Sequence, residues 1–184
     1  RKDYAVSPPE ATMLDLISRN GQEVYAVGKI SDIFNGSGIT RSVHSESNQD
    51  GVDKTLAAMK EGFGVLIFTN LVDFDSKFGH RRNAEGYAKA LEEFDARMPE
   101  ILPAMQPEDL LMLCADHGND PNHSGWDHTR EAVPLLVRGA GVIPGKDLGT
   151  RDSFAHIAAT VLDYLEIDEK PAIGNSFLKE ILKR

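Results

Sequence analysis

Two short apolar runs, Gly64-Val-Leu-Ile-Phe-Thr69 and Asp109-Leu-Leu-Met-Leu-Cys-Ala115, each give way at once to a polar stretch rich in aspartate and histidine. A run that is apolar at every position and of strand length reads as a strand covered on both faces, the usual state of a strand in a parallel sheet. Helical patterns fall between such runs. Pro8-Pro9 followed by Glu10 to Arg19, stopped by Gly21, reads as a helix, and Glu23 to Gly28 as a strand. Asp50 to Glu61 is a second helix whose Val52, Leu56 and Met59 recur at helical spacing as core residues. Ala84 to Met98 carries Tyr87, Ala88, Leu91 and Phe94 on one face and reads as a crossover helix, ended or kinked by Pro99 and Pro103. Ala132 to Val137 is a strand in which Pro134 marks an edge or a beginning. Asp152 is placed to cap a helix over Ser153 to Leu165, and Ser176 to Leu182 forms the last one. The four glycines and one proline of Gly139 to Gly149 mark the most flexible loop. This alternation predicts an α/β fold with a mostly parallel sheet flanked by helices.

In open α/β sheets, ligands bind outside the carboxyl ends of the strands. Asp116 and His117 stand at that end of one run, and Asn70 to Asn83 after the other carries Asp73, Asp75 and His80. Of six histidines, His117, His123 and His128 share one loop. Any of these residues alone reads as an ordinary loop residue, but together they read as a site. Asp75, His80, Asp116, His117 and His128 are therefore candidate metal ligands. Carboxylate and imidazole without thiolate suit a hard or borderline divalent ion such as Mn²⁺ or Zn²⁺, and the single Cys114 cannot form a cysteine cluster.

The other polar residues carry weaker signals. Lys29, after the strand ending at Gly28, can meet a substrate phosphate as a point charge. Asn35 to Gly38 reads as a flexible turn more than as a phosphate cradle, and Arg81-Arg82 as a surface pair more than as a phosphate clamp. Asp73 replaces Asp75 as the ligand if the register of the loop differs, and is otherwise a candidate for orienting a ligand imidazole from behind. His123, His44 and His156 are read as structural or exposed.

The formal net charge of −9 and the lack of a basic stripe with interleaved aromatics argue against nucleic acid as a partner. No apolar run approaches the roughly 20 residues that span a bilayer, so no membrane partner is expected. One cysteine excludes an internal disulfide framework and agrees with a reducing compartment. A cytoplasmic location is the resulting expectation.

The segments ADHGNDP, DHTREAVPLLV and NLVDFDSKFGHRRN closely resemble motifs of the phosphopentomutase family, in the alkaline phosphatase superfamily. The likeness runs from RKDYAVSPP through GKISDIF and SNQDGVDKT to GNSFLKEIL. It implies an alkaline phosphatase-like core with two divalent ions, Mn²⁺ in such enzymes, flanking a phosphorylatable threonine. Asp75, His80 and His128 would hold one ion, and Asp116 and His117 part of the other. Thr12, Thr40 and Thr55 do not stand in the family's nucleophile context, so no catalytic nucleophile is assigned within the chain. By the resemblance, residues 1–184 form the carboxyl-terminal segment of the catalytic core, with the amino-terminal core segment and the cap domain elsewhere.

The implied reaction interconverts ribose or deoxyribose 1-phosphate and 5-phosphate, primed by a sugar bisphosphate, and the chain alone is expected to be inactive. A related metal-dependent phosphatase, a cofactor-independent phosphoglycerate mutase and a non-catalytic module that binds metal or a partner are the competing readings. The pairing of DFDSKFGHRR with DHTRE favours the mutase.

Overall fold

The computed structural model describes residues 6–183. The opening of the RKDYAVSPP motif, residues 1–5, lies outside the described residues. Helix α1 (Met13–Arg19) starts at Met13 and not at Glu10, because Thr12 and Asp15 form a capping box. The Thr12 backbone N–H donates to Asp15 Oδ2 at 2.8 Å, and Thr12 Oγ1 faces the Asp15 N–H. This reciprocal pairing satisfies helix-end donors and fixes where the helix begins. The prolines stay outside it.

Strand β1 (Val24–Val27) is buried along its whole length. Val24 and Ala26 pack with Leu14, Ile17 and Leu162 on one side, and Tyr25 and Val27 pack with Ala58, Val43 and Ile67 on the other. Alternate side chains of a strand point to opposite faces, so β1 is the centre of a layered α/β core. β2 (Arg41–Val43) and β3 (Leu66–Thr69) pair with it in parallel, giving the order β2-β1-β3. The short helix α2 (Ile30–Ile33) leaves β1 toward β2, and α3 (Asn48–Lys60), capped by Ser47, lies between β2 and β3. β2 and α2 are too short and too polar for a periodic signal.

The glycine-rich turn after α2 packs on α1 and does not form a cradle. Ser37 donates to Asp15 Oδ1 at 2.5 Å. Gly38, at φ +69°, lies so close to the Leu14–Asp15 backbone that a Cβ would come within 2.3 Å of it. Glycine meets both demands, the left-handed backbone and the close approach.

The strand over 109–115 was expected to be a buried parallel strand. It is β4 (Leu110–Cys114), and it pairs antiparallel with β5 (Leu135–Gly139) in a separate two-stranded sheet. Its continuous apolar character has the anticipated cause, since Leu111 packs with Val52, Leu56 and Ile101 while Met112 packs with Phe177, Leu178 and Ile181. Two covered faces produce an apolar run whatever the direction of the partner strand. Pro134 directly precedes β5, the place in a strand where its missing N–H is tolerated.

The expected crossover helix is divided into α4 (Ala84–Asp95) and α5 (Met98–Ala104), with Pro99 in the first turn of α5. Arg97 at the junction bonds Glu100, Asp53 and Gln49 at 2.6, 2.6 and 2.8 Å, which ties α5 to α3. The inner face of α4 is Tyr87, Ala90 and Phe94, whereas Ala88 and Leu91 are exposed. Rotation of the apolar stripe by one residue accounts for the difference from the expected face.

Helix α6 (Ala155–Tyr164) is not capped by Asp152. Ser153 Oγ instead accepts from the Ala155 N–H at 3.1 Å, and Asp152 Oδ1 meets His156 Nε2 at 2.6 Å. His156 Nδ1 faces the Asn175 backbone, 2.9 Å from its N–H and 3.0 Å from its carbonyl, which pins the segment before α7 (Leu178–Ile181) to α6. The Asp152 hydrogen bond raises the His156 pKa above its ordinary value, and the Asn175 carbonyl adds to this. A raised folded-state pKa contributes stability that is complete below the unfolded value of about 6.5 and fades as pH rises through the folded value.

Two stability measurements follow from these contacts. Thr12→Ala should lower unfolding free energy by about 1 kcal/mol, and an unchanged urea midpoint would show that the capping box contributes nothing. The stability difference between the unsubstituted chain and His156→Gln should be largest at pH 5–6 and shrink toward pH 9. A difference flat across that range would remove the protonated His156–Asp152 pair from the account.

Candidate metal centre

A single π-turn builds the first half of the site. Residues Phe74–Gly79 close through i→i+5 bonds, and the His80 N–H donates to the Asp75 carbonyl at 3.0 Å. Such wide turns recur at functional sites. Here the turn folds residue 80 back over residue 75, so both side chains face the same space: His80 Nε2 lies 3.4 Å from Asp75 Oδ1.

The loop after β4 supplies the other half. It is closed on itself by Gly118 and Thr129, whose N–H donates to the Gly118 carbonyl at 3.0 Å, while the Asp120 N–H donates to Thr129 Oγ1 at 2.7 Å. This closure brings the two histidines at its ends together, and the rings of His117 and His128 stack at 3.7 Å. His128 Nε2 then stands 3.2 Å from Asp75 Oδ1 and 3.1 Å from His80 Nε2.

Three donor atoms from two loops therefore sit 3.1–3.4 Å apart. Adjacent ligands of a divalent ion with bonds near 2.1 Å are separated by about 3.0 Å in octahedral and about 3.4 Å in tetrahedral geometry. The spacing of Asp75, His80 and His128 fits that requirement. A ligand atom of His117 also lies within 4.8 Å of those of Asp75 and His128. Asp116 reaches the group through His117, whose Nε2 is 3.7 Å from Asp116 Oδ2.

Hydrogen bonds fix the tautomers. A carbonyl only accepts, so His80 Nδ1, 2.8 Å from the Trp126 carbonyl, carries the proton and leaves the Nε2 lone pair facing Asp75 and His128. The same reasoning applies to His117 Nδ1, 3.2 Å from the Gly118 carbonyl. Imidazoles that donate one nitrogen to a backbone carbonyl and present the other to a shared space are arranged as metal-binding histidines are.

Asp73 does not orient an imidazole. It is buried and bonds Asn48 twice, Oδ2 accepting from the Asn48 N–H and its own N–H donating to Asn48 Oδ1, both at 2.9 Å. Lys77 Nζ lies 3.0 Å from the other oxygen, near enough for charge pairing but poorly aligned for a hydrogen bond. Asp73 thus docks the site loop onto the start of α3. His123 is exposed outside the cluster, and Lys29 is exposed at the carboxyl end of β1, where it precedes α2. From α4, Tyr87 packs with its ring tilted against that of Phe74, centroids 5.6 Å apart, and burial, with the Asp75 and Asp116 carboxylates adding to it, pushes its phenol pKa up.

Two further residues at the centre of the arrangement, Asn119 and Arg82, were not among the candidate ligands. Asn119, which is buried, donates Nδ2 to Asp75 Oδ1 at 2.6 Å. Arg82, at φ +54°, is not a phosphate clamp: its guanidinium donates to the carbonyls of Gly125, Asp120, Asp127 and Gly79 and to Asn119 Oδ1. The one hint in the sequence is that both lie inside the segments that carry the candidate ligands.

Comparison with known proteins shows the family to which the chain belongs. The phosphopentomutase of Clostridioides difficile (strain 630) is 55% identical over 96% of this chain and 45% of its own length. That of Alkaliphilus metalliredigens (strain QYMF) is 52% identical over 100% of this chain and 47% of its own. The chain thus spans about half the length of the curated relatives it matches. Among solved structures, a Leishmania mexicana phosphoglycerate mutase studied at low cobalt concentration superposes with a TM-score of 0.66. It covers 89% of this chain and 38% of that one at 18% identity, which makes the fold alkaline phosphatase-like. The Metalloenzyme superfamily model matches residues 2–169. By that match over most of its length, the chain is a member of the Metalloenzyme superfamily.

Proposed function

We propose that this chain is the metal-holding, carboxyl-terminal segment of a phosphopentomutase core. The observation that carries the reading is the convergence of Asp75, His80 and His128 donor atoms within 3.1–3.4 Å. In this reading those three residues hold one divalent ion, Mn²⁺ by preference, and Asp116 and His117 contribute to a second. Such a pair of ions neutralises phosphate oxygens and holds entering and leaving oxygens in line.

The residues of the chain have separate tasks. His80 and His117 keep their Nε2 lone pairs toward the site because their Nδ1 protons are held by carbonyls. Lys29, exposed at the end of β1, meets a phosphate of the pentose substrate as a point charge. The threonine that carries the phosphoryl group between the 1- and 5-positions of ribose or deoxyribose comes from the other half of the enzyme, with the cap that excludes water. A sugar bisphosphate primes the cycle, and the location is cytoplasmic.

The sheets support a second half. β3 pairs only with β1 and β4 only with β5 among the described residues, so each keeps one unpaired edge, and each runs into a loop of candidate ligands. A segment adding strands at these edges would deliver its own residues to the same end of the core. The length of the relatives beyond the matched half has room for it.

³¹P NMR of the full-length polypeptide with ribose 5-phosphate, Mn²⁺ and a sugar bisphosphate should show a sugar 1-phosphate signal that the 184-residue chain alone does not generate. Inorganic phosphate as the sole new signal would move the reading to a phosphatase. In the full-length polypeptide, Asp75→Ala or His128→Ala should weaken Mn²⁺ binding and abolish mutase turnover while leaving the far-ultraviolet circular dichroism unchanged. Full activity with unchanged metal content in either variant would overturn the ligand assignment.

A further inference from the structure

Resting on the metal reading above, we propose that Arg82 and Asn119 form a positioning relay that sets the Asp75 carboxylate for the ion. Arg82 donates to Asn119 Oδ1 at 2.9 Å. Because a guanidinium has no acceptor, this bond fixes which end of the amide is oxygen. The Nδ2 end is thereby turned to Asp75 Oδ1, 2.6 Å away. The contact needs Gly79, where a Cβ would come within 2.5 Å of Asn119 Nδ2. Asn119 lies two residues after His117 and bonds Asp75 across 44 positions of sequence, so the relay also links the loops that supply the two halves of the ligand set.

Electrostatics and positioning make opposite forecasts for Arg82. A guanidinium near a cation site repels the cation, so its removal by charge alone tightens metal binding. As the head of the relay, its removal frees Asn119 and lets Asp75 rotate, which weakens binding. Partners of this kind behind a metal ligand change affinity by about 10- to 100-fold. Arg82→Gly is the suitable variant because φ +54° suits glycine, and Asn119→Ala removes the middle of the relay. Arg82→Lys keeps the charge but loses the planar fork.

The experiment is calorimetric titration of the full-length polypeptide with MnCl₂ alone, with circular dichroism as the check on folding. Arg82→Gly, Arg82→Lys and Asn119→Ala should each weaken Mn²⁺ binding by about 10-fold or more, with no rescue by lysine. Tighter or unchanged binding in Arg82→Gly, or unchanged binding in Asn119→Ala, overturns the relay while loss of binding in Asp75→Ala leaves the metal site standing. No Mn²⁺ binding by the unsubstituted full-length polypeptide, or binding indifferent to Asp75→Ala, overturns the metal reading and the relay with it.

Discussion

The guanidinium of Arg82 does at the site what a strand ladder does in the core. Residues 119–128 form a loop with no regular element, closed by the single bridge between Gly118 and Thr129, so its carbonyls have no repeating partners. Buried or half-buried carbonyls left unpaired are costly. Arg82 collects three carbonyls of this loop, that of half-buried Asp120 and those of exposed Gly125 and Asp127, and spans to Gly79 in its own loop. A planar fork of five donors is the side chain suited to that geometry. Once the loop is held this way, Asn119 and Trp126 fall where their polar groups meet Asp75 and His80, and the closing pair Gly118–Thr129 stacks His117 on His128.

Some of this was readable in the residues and some was not. The strand runs over 23–28, 64–69 and 109–115 and the helix over 50–61 appear close to where they were expected, because burial of a face imposes a period on a sequence. The Val52 and Leu56 core positions follow from the same cause. Directions between strands do not, since β4 is apolar for two covered faces and its antiparallel partner is fixed by tertiary pairing with β5. The capping box at Thr12 was within reach of sequence reasoning, as the Thr-x-x-Asp spacing resembles a known helix start, but the proline pair upstream was the louder signal.

At the site, the candidate ligand types and their two loops were legible from composition at strand ends. The device that joins them was not. Asp75 and His80 are five residues apart, a spacing that suits neither a helix face nor a strand face, and only a π-turn makes them neighbours. Asn119 and Arg82 act across long sequence separations, where no local pattern records a partner. Asp73 shows the converse: it stands among the candidates by sequence, yet its backbone and carboxylate are both committed to Asn48.

The divided sheet bears on how such a site is assembled. β1 is covered on both faces and paired on both edges, whereas β3 and β4 are half-buried and, among the described residues, each have an unpaired edge. An unpaired edge with apolar side chains on its faces is a surface that natural sheets cover or blunt. Neither β3 nor β4 carries a lysine or a proline to do so. In the proposed reading the cover is the remaining half of the mutase core, and the candidate ligands follow these same strands for a physical reason. In that reading a parallel strand added at either edge would end where β3 or β4 ends, so a nucleophile placed after it would arrive beside a loop of candidate ligands.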